Sequence, residues 1–283
     1  MESIDFIKHL RLNYQIIILS TPFLLGGLLS TMQSVWIFLL QYFSVHVLLF
    51  GGVTAYNSYW DKDVGPIGGL KNPPKMKRWM LVASWVLQII GLGLAVVSGL
   101  WMFLVYILSI VLFWLYSGPH TRWKEKPFLA LFTMSLSTAF LAVLMGYFSG
   151  GGKSISFSLL IACIGCVLFV FAMYPFSQAY QLQDDKNKSY NTFCVKYGHK
   201  GIFMTFISAF PIAILVLSWI FLQSSMIAGI VFFFGATIAG VYIYFVIKNL
   251  RMDRRDYRTI MLSKYFAGAA FSIFVIILMF LKS

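Results

Sequence analysis

The chain alternates between long apolar runs and short polar segments. Runs of about 20 residues almost free of charge are long enough to cross a bilayer as helices. They show no ten-residue alternation of apolar and polar positions, which favours helices over a membrane β-barrel. The boundary between the third and fourth runs is a single glycine, Gly99. The predicted spans cover approximately residues 13–31, 34–56, 79–98, 100–117, 128–149, 155–177, 202–222, 225–247 and 263–281.

Composition supports this membrane assignment. Hydrophobic residues make up 60% of the 283 residues and charged residues only 11%, whereas a soluble domain carries about 25% charge. No linker rich in Pro, Gly or Ser divides the chain. We therefore predict an all-α, polytopic membrane protein with a single domain over residues 1–283.

The positive charges predict an orientation. Of the 22 Lys and Arg residues, only Lys153 and Lys282 fall outside the N-terminus, the loops after even-numbered spans and the start of the last span. By the positive-inside rule, we expect a multi-pass protein of the cell membrane with a cytoplasmic N-terminus and an external C-terminus. The net charge of +13 is then explained by topology and by contact with anionic membrane lipids. Nucleic acid is not an expected partner, because the charges are divided among loops.

Acidic residues are rare, and four of the nine lie in two short segments. Asp61 and Asp63 occur in NSYWDKD, and Asp184 and Asp185 occur in YQLQDDKNK. Each segment directly follows an apolar run and is on the predicted cytoplasmic side. Carboxylates concentrated at a membrane surface suggest a divalent-metal site. The alternative is simple pairing with neighbouring lysines, as Asp61 could pair with Lys62.

Matching spacing favours the metal site over simple pairing. Asn57 precedes Asp61 by four residues, and Gln181 precedes Asp185 by four. On a continuing helix each amide and carboxylate would share one face. Two such corners could converge on one cavity and supply the oxygen ligands that Mg²⁺ prefers. We predict a metal site formed by Asn57, Asp61, Asp63, Asp184 and Asp185, with Gln178, Tyr180 and Gln181 in the substrate pocket.

The loops also carry cations that could hold phosphate oxygens. A metal and basic side chains together would stabilise diphosphate as a leaving group. Departure of diphosphate from an allylic chain would leave a carbocation, which aromatic ring faces can stabilise in a cavity that excludes water. The candidate diphosphate-binding cations are Lys71, Arg122, Lys124, Lys186 and Lys188.

Three segments, NSYWDKDVGPIGGLKNPP, YSGPHTRWK and QAYQLQDDKNKSYNTF, together with nine spans, resemble the UbiA superfamily of intramembrane prenyltransferases. That superfamily has an N-D-x-x-D-x-x-x-D motif after its second helix and a second aspartate-rich motif after its sixth. The resemblance implies a nine-helix bundle, Mg²⁺, a polyprenyl diphosphate donor and a cytoplasm-facing cavity open laterally to lipid. The motif loops would be residues 57–78, 116–126 and 178–200.

By this resemblance, Asn57 and Asp61 match the amide and the leading metal ligand of the first motif. Asp185 matches the leading aspartate of the second motif. Asp61 and Asp185 would then be the catalytic pair. The middle Y-S-x-P-x-x-R-x-K loop, which helps to hold diphosphate, matches at Tyr116, Arg122 and Lys124.

The chain departs from the family pattern at three carboxylate positions. Ser58, Gly65 and Tyr190 stand where aspartates are usual, and Asp63 and Asp184 are expected to substitute in part. The reduced number of carboxylates leaves the acceptor open. We expect an Mg²⁺-dependent prenyltransferase with an aromatic or lipid-soluble acceptor. The alternatives are a UbiA-type terpene cyclase, which needs no acceptor, and a non-catalytic transporter or lipid-binding protein.

Overall fold

The computed structural model describes residues 2–282, which are almost entirely helical and contain no β-strand. We label the helices α1 to α11 in chain order. The first half comprises α1 (Glu2–Ile18), α2 (Ser20–Leu29), α3 (Val35–Asp61), α4 (Arg78–Ser98), α5 (Leu100–Ser117) and α6 (Pro127–Ser149). The second half comprises α7 (Phe157–Gln178), α8 (Leu182–Asn187), α9 (Phe193–Ser224), α10 (Met226–Lys248) and α11 (Tyr257–Lys282).

The predicted spans are confirmed within the described residues. Eight helical stretches are long and apolar enough to cross a membrane by themselves, and the count reaches 9 when α1 and α2, bent by 44°, form one broken span. Gly99 separates α4 from α5 with φ of 92°, a backbone conformation that glycine adopts without steric strain. The short α8 continues beyond α7 through a single 3₁₀ turn, Ala179–Gln181.

Small residues set the closest helix packing. A Cβ added to Gly26 would lie 2.0 Å from the carbonyl oxygen of Val143, and one added to Gly146 would lie 1.8 Å from that of Phe23. The backbones of α2 and α6 therefore touch, which is the usual role of small residues between membrane helices.

Apolar side chains are buried in two main cores and also cover the outside. One core is centred on α2, α3, α5 and α6, and the other on α7, α9 and α10. Large apolar side chains such as Trp101, Ile238 and Phe266 are more than half exposed. An apolar exterior of this kind is suited to a lipid environment. The polar ends of α3, α5 and α7 meet at one end of the bundle, where the predicted motif loops lie together.

Candidate functional site

The first corner is at the end of α3. Lys62 ends this helix in the left-handed region, with φ of 50°. The carboxylate of Asp61 is largely buried and forms an ion pair with Lys124 Nζ. Arg122 Nη2 lies 3.9 Å from the same carboxylate. The middle motif loop is therefore docked on the first corner.

The second motif loop also docks on this corner. Lys188 Nζ donates to Asp63 Oδ1 at 2.6 Å and to the main-chain oxygen of Asp61 at 3.0 Å. Asp61 and Asp63 thus pair with lysines from two other loops, and neither forms an ion pair with Lys62. The simple alternative of pairing between sequence neighbours does not describe this corner.

The second corner is on α8. Asp185 accepts a hydrogen bond from Thr192 Oγ1 at 2.9 Å. Among the described residues, no Lys, Arg or His nitrogen lies within 4.0 Å of its carboxylate. Asp185 faces the same cavity as Asp61 and Asp63, so carboxylates of both corners lie on one cavity.

Asp184 has a different position from its neighbour. Its carboxylate accepts from Arg254 at 2.5 and 3.1 Å, and it does not line the cavity. A Cβ added to Gly65 would lie 2.4 Å from Asp184 Oδ2. The Asp184–Arg254 pair therefore occupies the space next to position 65, where the family motif has a carboxylate. The expectation that Asp184 completes a metal site is not supported by this placement.

Most of the predicted site residues line one cavity. Arg122 and Lys188 contact its carboxylates from outside the lining, whereas Lys71 and Lys186 are exposed. The predicted residues on the lining are Asn57, Asp61, Asp63, Tyr116, Lys124, Gln178, Tyr180, Gln181 and Asp185.

Three cations surround the ring of Tyr190, which also lines the cavity. The Arg122 guanidinium carbon lies 4.9 Å from the ring centroid, Lys188 Nζ 5.6 Å and Lys124 Nζ 5.8 Å. A ring face attracts cations without neutralising them. Tyr190, where the family pattern has aspartate, therefore gathers positive charge that a carboxylate would cancel.

Lys124 is the most perturbed cation in the loops outside the spans. Burial, and next the charge of Lys188, lower the pKa of Lys124 to about 7. Burial lowers it because the charged form loses hydration. Lys124 is also paired with the Asp61 carboxylate, and a second anion placed beside it would further stabilise its charged form.

Hydrogen bonds join the helices deeper in the cavity. Ser117 Oγ donates to Asn57 Oδ1 at 2.7 Å, which ties α5 to α3. The hydroxyls of Tyr116 and Tyr174 lie 2.7 Å apart, and Gln178 Nε2 donates to Tyr174 Oη at 2.6 Å. These bonds orient two aromatic rings and two amides around the space between the corners.

A second, mostly apolar cavity continues from the first. Its own lining includes Met173, Phe169 and Phe271. It shares residues with the first cavity at their junction. The shared residues are Tyr14, Leu19, Met134, Thr138, Tyr174, Ser177 and Lys264. A polar end with charged groups and an apolar extension suit a ligand with an anionic head and a hydrocarbon tail.

The sequence analysis missed two cations and two tyrosines on the cavity lining, one of them Tyr174 on α7. Arg11 and Tyr14 come from α1, and Lys264 comes from α11. Arg11 and Lys264 had been counted only as topology signals. They lie more than 250 positions apart in the chain, and no local motif links them.

The residues present fit a magnesium ion that keeps water and binds substrate phosphates. Within residues 2–282, no three His, Cys, Asp or Glu side chains form a ready cluster for a metal. However, Mg²⁺ is usually held by only one or two carboxylates together with phosphate oxygens. Asp61, Asp63 and Asp185 offer carboxylates to one cavity, and Asp185 has no ion pair to give up.

Comparison with known proteins gives a consistent result. The model of the UbiA prenyltransferase family matches residues 19–271. No curated protein sequence matches the chain.

Solved structures share the fold. A UbiA homolog from Archaeoglobus fulgidus bound to DMAPP and Mg²⁺ is 16% identical, with a TM-score of 0.75 over 97% of this chain and 99% of that chain. The same homolog bound to GPP and Mg²⁺ gives 15% identity and a TM-score of 0.74 over the same shares. A UbiA homolog from Aeropyrum pernix K1 is 18% identical, with a TM-score of 0.59 over 94% of this chain and 98% of that chain.

Proposed function

The chain belongs to the UbiA prenyltransferase family, and we propose that it uses Mg²⁺ to ionise a polyprenyl diphosphate and transfers the prenyl group to an aromatic or other lipid-soluble acceptor. The observation that carries this proposal is the shared cavity. Carboxylates from both corners and the loop cations lie at its polar end, and an apolar cavity extends from it. The fold is shared with a homolog whose structure holds DMAPP and Mg²⁺.

In this proposal, the acidic residues bind the metal and the basic residues bind the leaving group. Asp61 and Asp185 would hold Mg²⁺, which supplies charge neutralisation at the departing diphosphate when bound. Lys124, Lys188 and Arg122 would bind phosphate oxygens, because all three lie around the ring of Tyr190. Such preorganised charges stabilise a leaving group without reorganisation during the reaction.

The hydrocarbon part of the substrate would extend into the apolar cavity. Phe50 and Phe113 line the polar cavity with Tyr116 and Tyr174, so a cation formed there would meet several ring faces. These same side chains would limit the access of water, which would otherwise capture the cation.

A terpene cyclase is the second candidate. The observation that favours it is the reduced set of carboxylates: Ser58, Gly65 and Tyr190 provide no carboxylate, and Asp184 is engaged by Arg254. A cyclase would use the same ionisation but would release a cyclised hydrocarbon without an acceptor.

Purified protein in lipid nanodiscs, given geranylgeranyl or farnesyl diphosphate, tests the shared first step. We expect Mg²⁺-dependent release of diphosphate that is lost on adding EDTA, and loss in Asp61→Asn and Asp185→Asn while both variants remain folded by circular dichroism. Full activity in both variants would contradict the assignment of Asp61 and Asp185 to the metal site. No diphosphate release with any chain length, even after addition of a lipid extract or aromatic acceptor, would instead favour a transporter or lipid-binding protein.

Product analysis separates the two enzymatic candidates. A cyclised hydrocarbon formed without an acceptor identifies a cyclase. A prenylated product that forms only after addition of a lipid extract or aromatic acceptor identifies a transferase. Lipids from a host expressing the protein, compared with a host expressing Asp185→Asn, would reveal the natural product.

We also propose that the protein lies in the cell membrane with its N-terminus in the cytoplasm. All three native cysteines are buried, so a single introduced cysteine can report exposure. A membrane-impermeant thiol reagent applied to intact cells should label Ser154→Cys and leave Lys71→Cys unlabelled. The reverse labelling pattern would invert the topology.

A further inference from the structure

The three positions that lack a usual motif carboxylate each lie beside a cation of this chain. Ser58 Oγ accepts a hydrogen bond from Arg11 Nη2 at 2.8 Å. A Cβ added to Gly65 would lie 2.9 Å from Arg254 Nη2. The ring of Tyr190 is surrounded by the three loop cations already described. Each missing carboxylate is therefore accompanied by a fixed positive charge in the same part of the site.

The carboxylates that remain on the polar cavity are mostly neutralised by the protein. Asp61, Asp63 and Asp185 line this cavity. Lys124 pairs with Asp61, and Lys188 pairs with Asp63. In the described part of the chain, no ion pair includes Asp185. Asp185 is therefore the carboxylate of the lining whose charge the protein leaves uncompensated.

This charge balance limits how many divalent ions the site can hold. Mg²⁺ is usually bound by one or two carboxylates together with water and phosphate oxygens. Asp185 and Asp61 meet that requirement once, because Lys124 and Arg122 both approach Asp61 at Oδ1 and Oδ2 is left for a metal. The carboxylates of the lining therefore suit a single Mg²⁺.

A second divalent ion would meet strong repulsion. In a two-metal site the ions lie about 3.5–4 Å apart. Here the second ion would lie among Lys188, Arg122 and Lys124, which already surround one ring. Repulsion between like charges at such distances is strong where water is scarce. Fixed cations can themselves stabilise a departing phosphate group, as metal ions do.

We propose that the site binds a single divalent ion with each prenyl diphosphate, and that Lys188, Arg122 and Lys124 supply the charge that a second ion would provide. This inference rests on the proposed function and deepens its metal requirement. Asp185 and Asp61 would hold the ion, while Asp63 remains paired with Lys188.

Counting bound Mn²⁺ in the wild-type protein tests the proposal. Protein in lipid nanodiscs is saturated with geranylgeranyl S-thiolodiphosphate, an analogue that ionises very slowly, and is dialysed against Mn²⁺. Metal analysis gives the number of bound ions, with empty nanodiscs as the blank. Electron paramagnetic resonance then distinguishes an isolated Mn²⁺ from a magnetically coupled pair. We expect a single, isolated ion in each protein chain, and a coupled pair would overturn the proposal.

Substitutions of Lys188 test whether a fixed cation takes the place of a metal ion. Lys188→Met removes this cation and frees Asp63, so we expect a second Mn²⁺ to bind and the spectrum of a coupled pair to appear. Lys188→Arg keeps the charge and should retain a single ion. Lys186→Met removes an exposed lysine of α8 and should also retain a single ion. A single ion in Lys188→Met would overturn the role given to this lysine.

Substitutions of the carboxylates give an independent reading in the same assay. Asp185→Asn should weaken Mn²⁺ binding by about a hundredfold or more, because the uncompensated charge on the lining is lost. Asp63→Asn should retain the single ion, because Asp63 is engaged by Lys188. Equal loss of Mn²⁺ in the two variants would contradict this assignment of the ligands.

Diphosphate release separates a failure of this inference from a failure of the proposed function. Two bound Mn²⁺ ions in a wild-type protein that releases diphosphate would overturn the single-ion inference alone. Absence of both bound Mn²⁺ and diphosphate release, even after addition of a lipid extract or aromatic acceptor, would overturn the proposed function and this inference with it.

Discussion

The corner at the end of α3 and the corner on α8 have the same amide–carboxylate spacing, yet their carboxylates have different partners. Asp61 and Asp63 are each paired with a lysine from another loop. Within residues 2–282, the carboxylate of Asp185 accepts a hydrogen bond only from the hydroxyl of Thr192, and its neighbour Asp184 is directed to Arg254. One corner is thus neutralised by the protein itself, and the other retains a carboxylate free of ion pairs.

This difference predicts different roles for the two corners in binding the metal and the diphosphate. At the first corner, each lysine held beside a carboxylate would also bind a phosphate oxygen in the proposed site, so that metal and leaving group are bound side by side. At the second corner, no cation of residues 2–282 lies within 4.0 Å of the Asp185 carboxylate, so its oxygen lone pairs are available to a metal. We expect Asp185 to be the more sensitive position for metal binding and the lysines of the first corner to be the more sensitive positions for diphosphate.

The largest effect is expected from Asp185→Asn. Removal of the charge should lower Mg²⁺-dependent diphosphate release by about a hundredfold or more, the scale seen when an electrostatic group is removed from an active site. Asp184→Asn is the matched control, because it changes an adjacent carboxylate that lies outside the cavity lining. It should stay within about threefold of wild type, since exposed ion pairs contribute little. Equal losses would show that the two aspartates act together.

A smaller effect is expected from Lys124→Met. Loss of one charged hydrogen bond to phosphate should reduce kcat/KM for the prenyl diphosphate by roughly tenfold to a hundredfold. Lys186→Met removes an exposed lysine one residue from Asp185 and should leave kcat/KM nearly unchanged. A large loss with Lys186→Met would place the diphosphate nearer to α8 than proposed here.

Substitution of Tyr190 tests how the cations between the corners are held. Tyr190→Leu removes the ring face and should raise the KM for the prenyl diphosphate about threefold to thirtyfold. Tyr190→Phe keeps the ring and should have a KM close to that of the wild type. Tyr190→Asp introduces the usual family carboxylate among three cations. It should raise KM further, because the new carboxylate competes with phosphate for the same groups. An improved KM in Tyr190→Asp would contradict the role given to the ring.

The smallest effect expected is on pH dependence. Because the pKa of Lys124 is lowered to about 7, its charge is present below that pH and is lost as pH rises. The kcat/KM value, which reports the free enzyme, should therefore fall as pH rises through about 7. Lys124→Arg keeps its charge across this range and should remove that fall. An unchanged profile in Lys124→Arg would assign the titration to another group.

Much of the fold could be predicted because membrane spans are specified locally. An uncharged run of about 20 residues satisfies its own backbone hydrogen bonds as a helix, whatever its neighbours. Within the described residues, the nine predicted spans therefore reappear when α1 and α2 are taken as one, and Gly99 separates α4 from α5 as expected. Some helices start earlier than predicted: α1 begins at Glu2 instead of residue 13, and α9 begins at Phe193 instead of residue 202. The bend between α1 and α2 was missed, since an apolar run has no pattern that marks it.

The candidate site was only partly predictable. Nine of the predicted residues line the cavity, among them Asn57, Asp61 and Asp185, because motif residues at span ends are brought to the same membrane surface. Asp184, adjacent to Asp185 in the sequence, is directed elsewhere by Arg254, which comes from the loop before α11. That partner is 70 positions away, too far for any local pattern to reveal.

The sequence by itself determined that this chain forms a helical membrane bundle with two carboxylate corners at one end, because hydropathy and spacing act over a few turns of helix. The tertiary structure decided which loop neutralises which aspartate, because loops separated in the chain meet only when the helices pack. It also brought Arg11 and Lys264, from opposite ends of the chain, onto the cavity that the two corners share. Their charges could be counted from the sequence, but only the packing of α1 and α11 shows what they face.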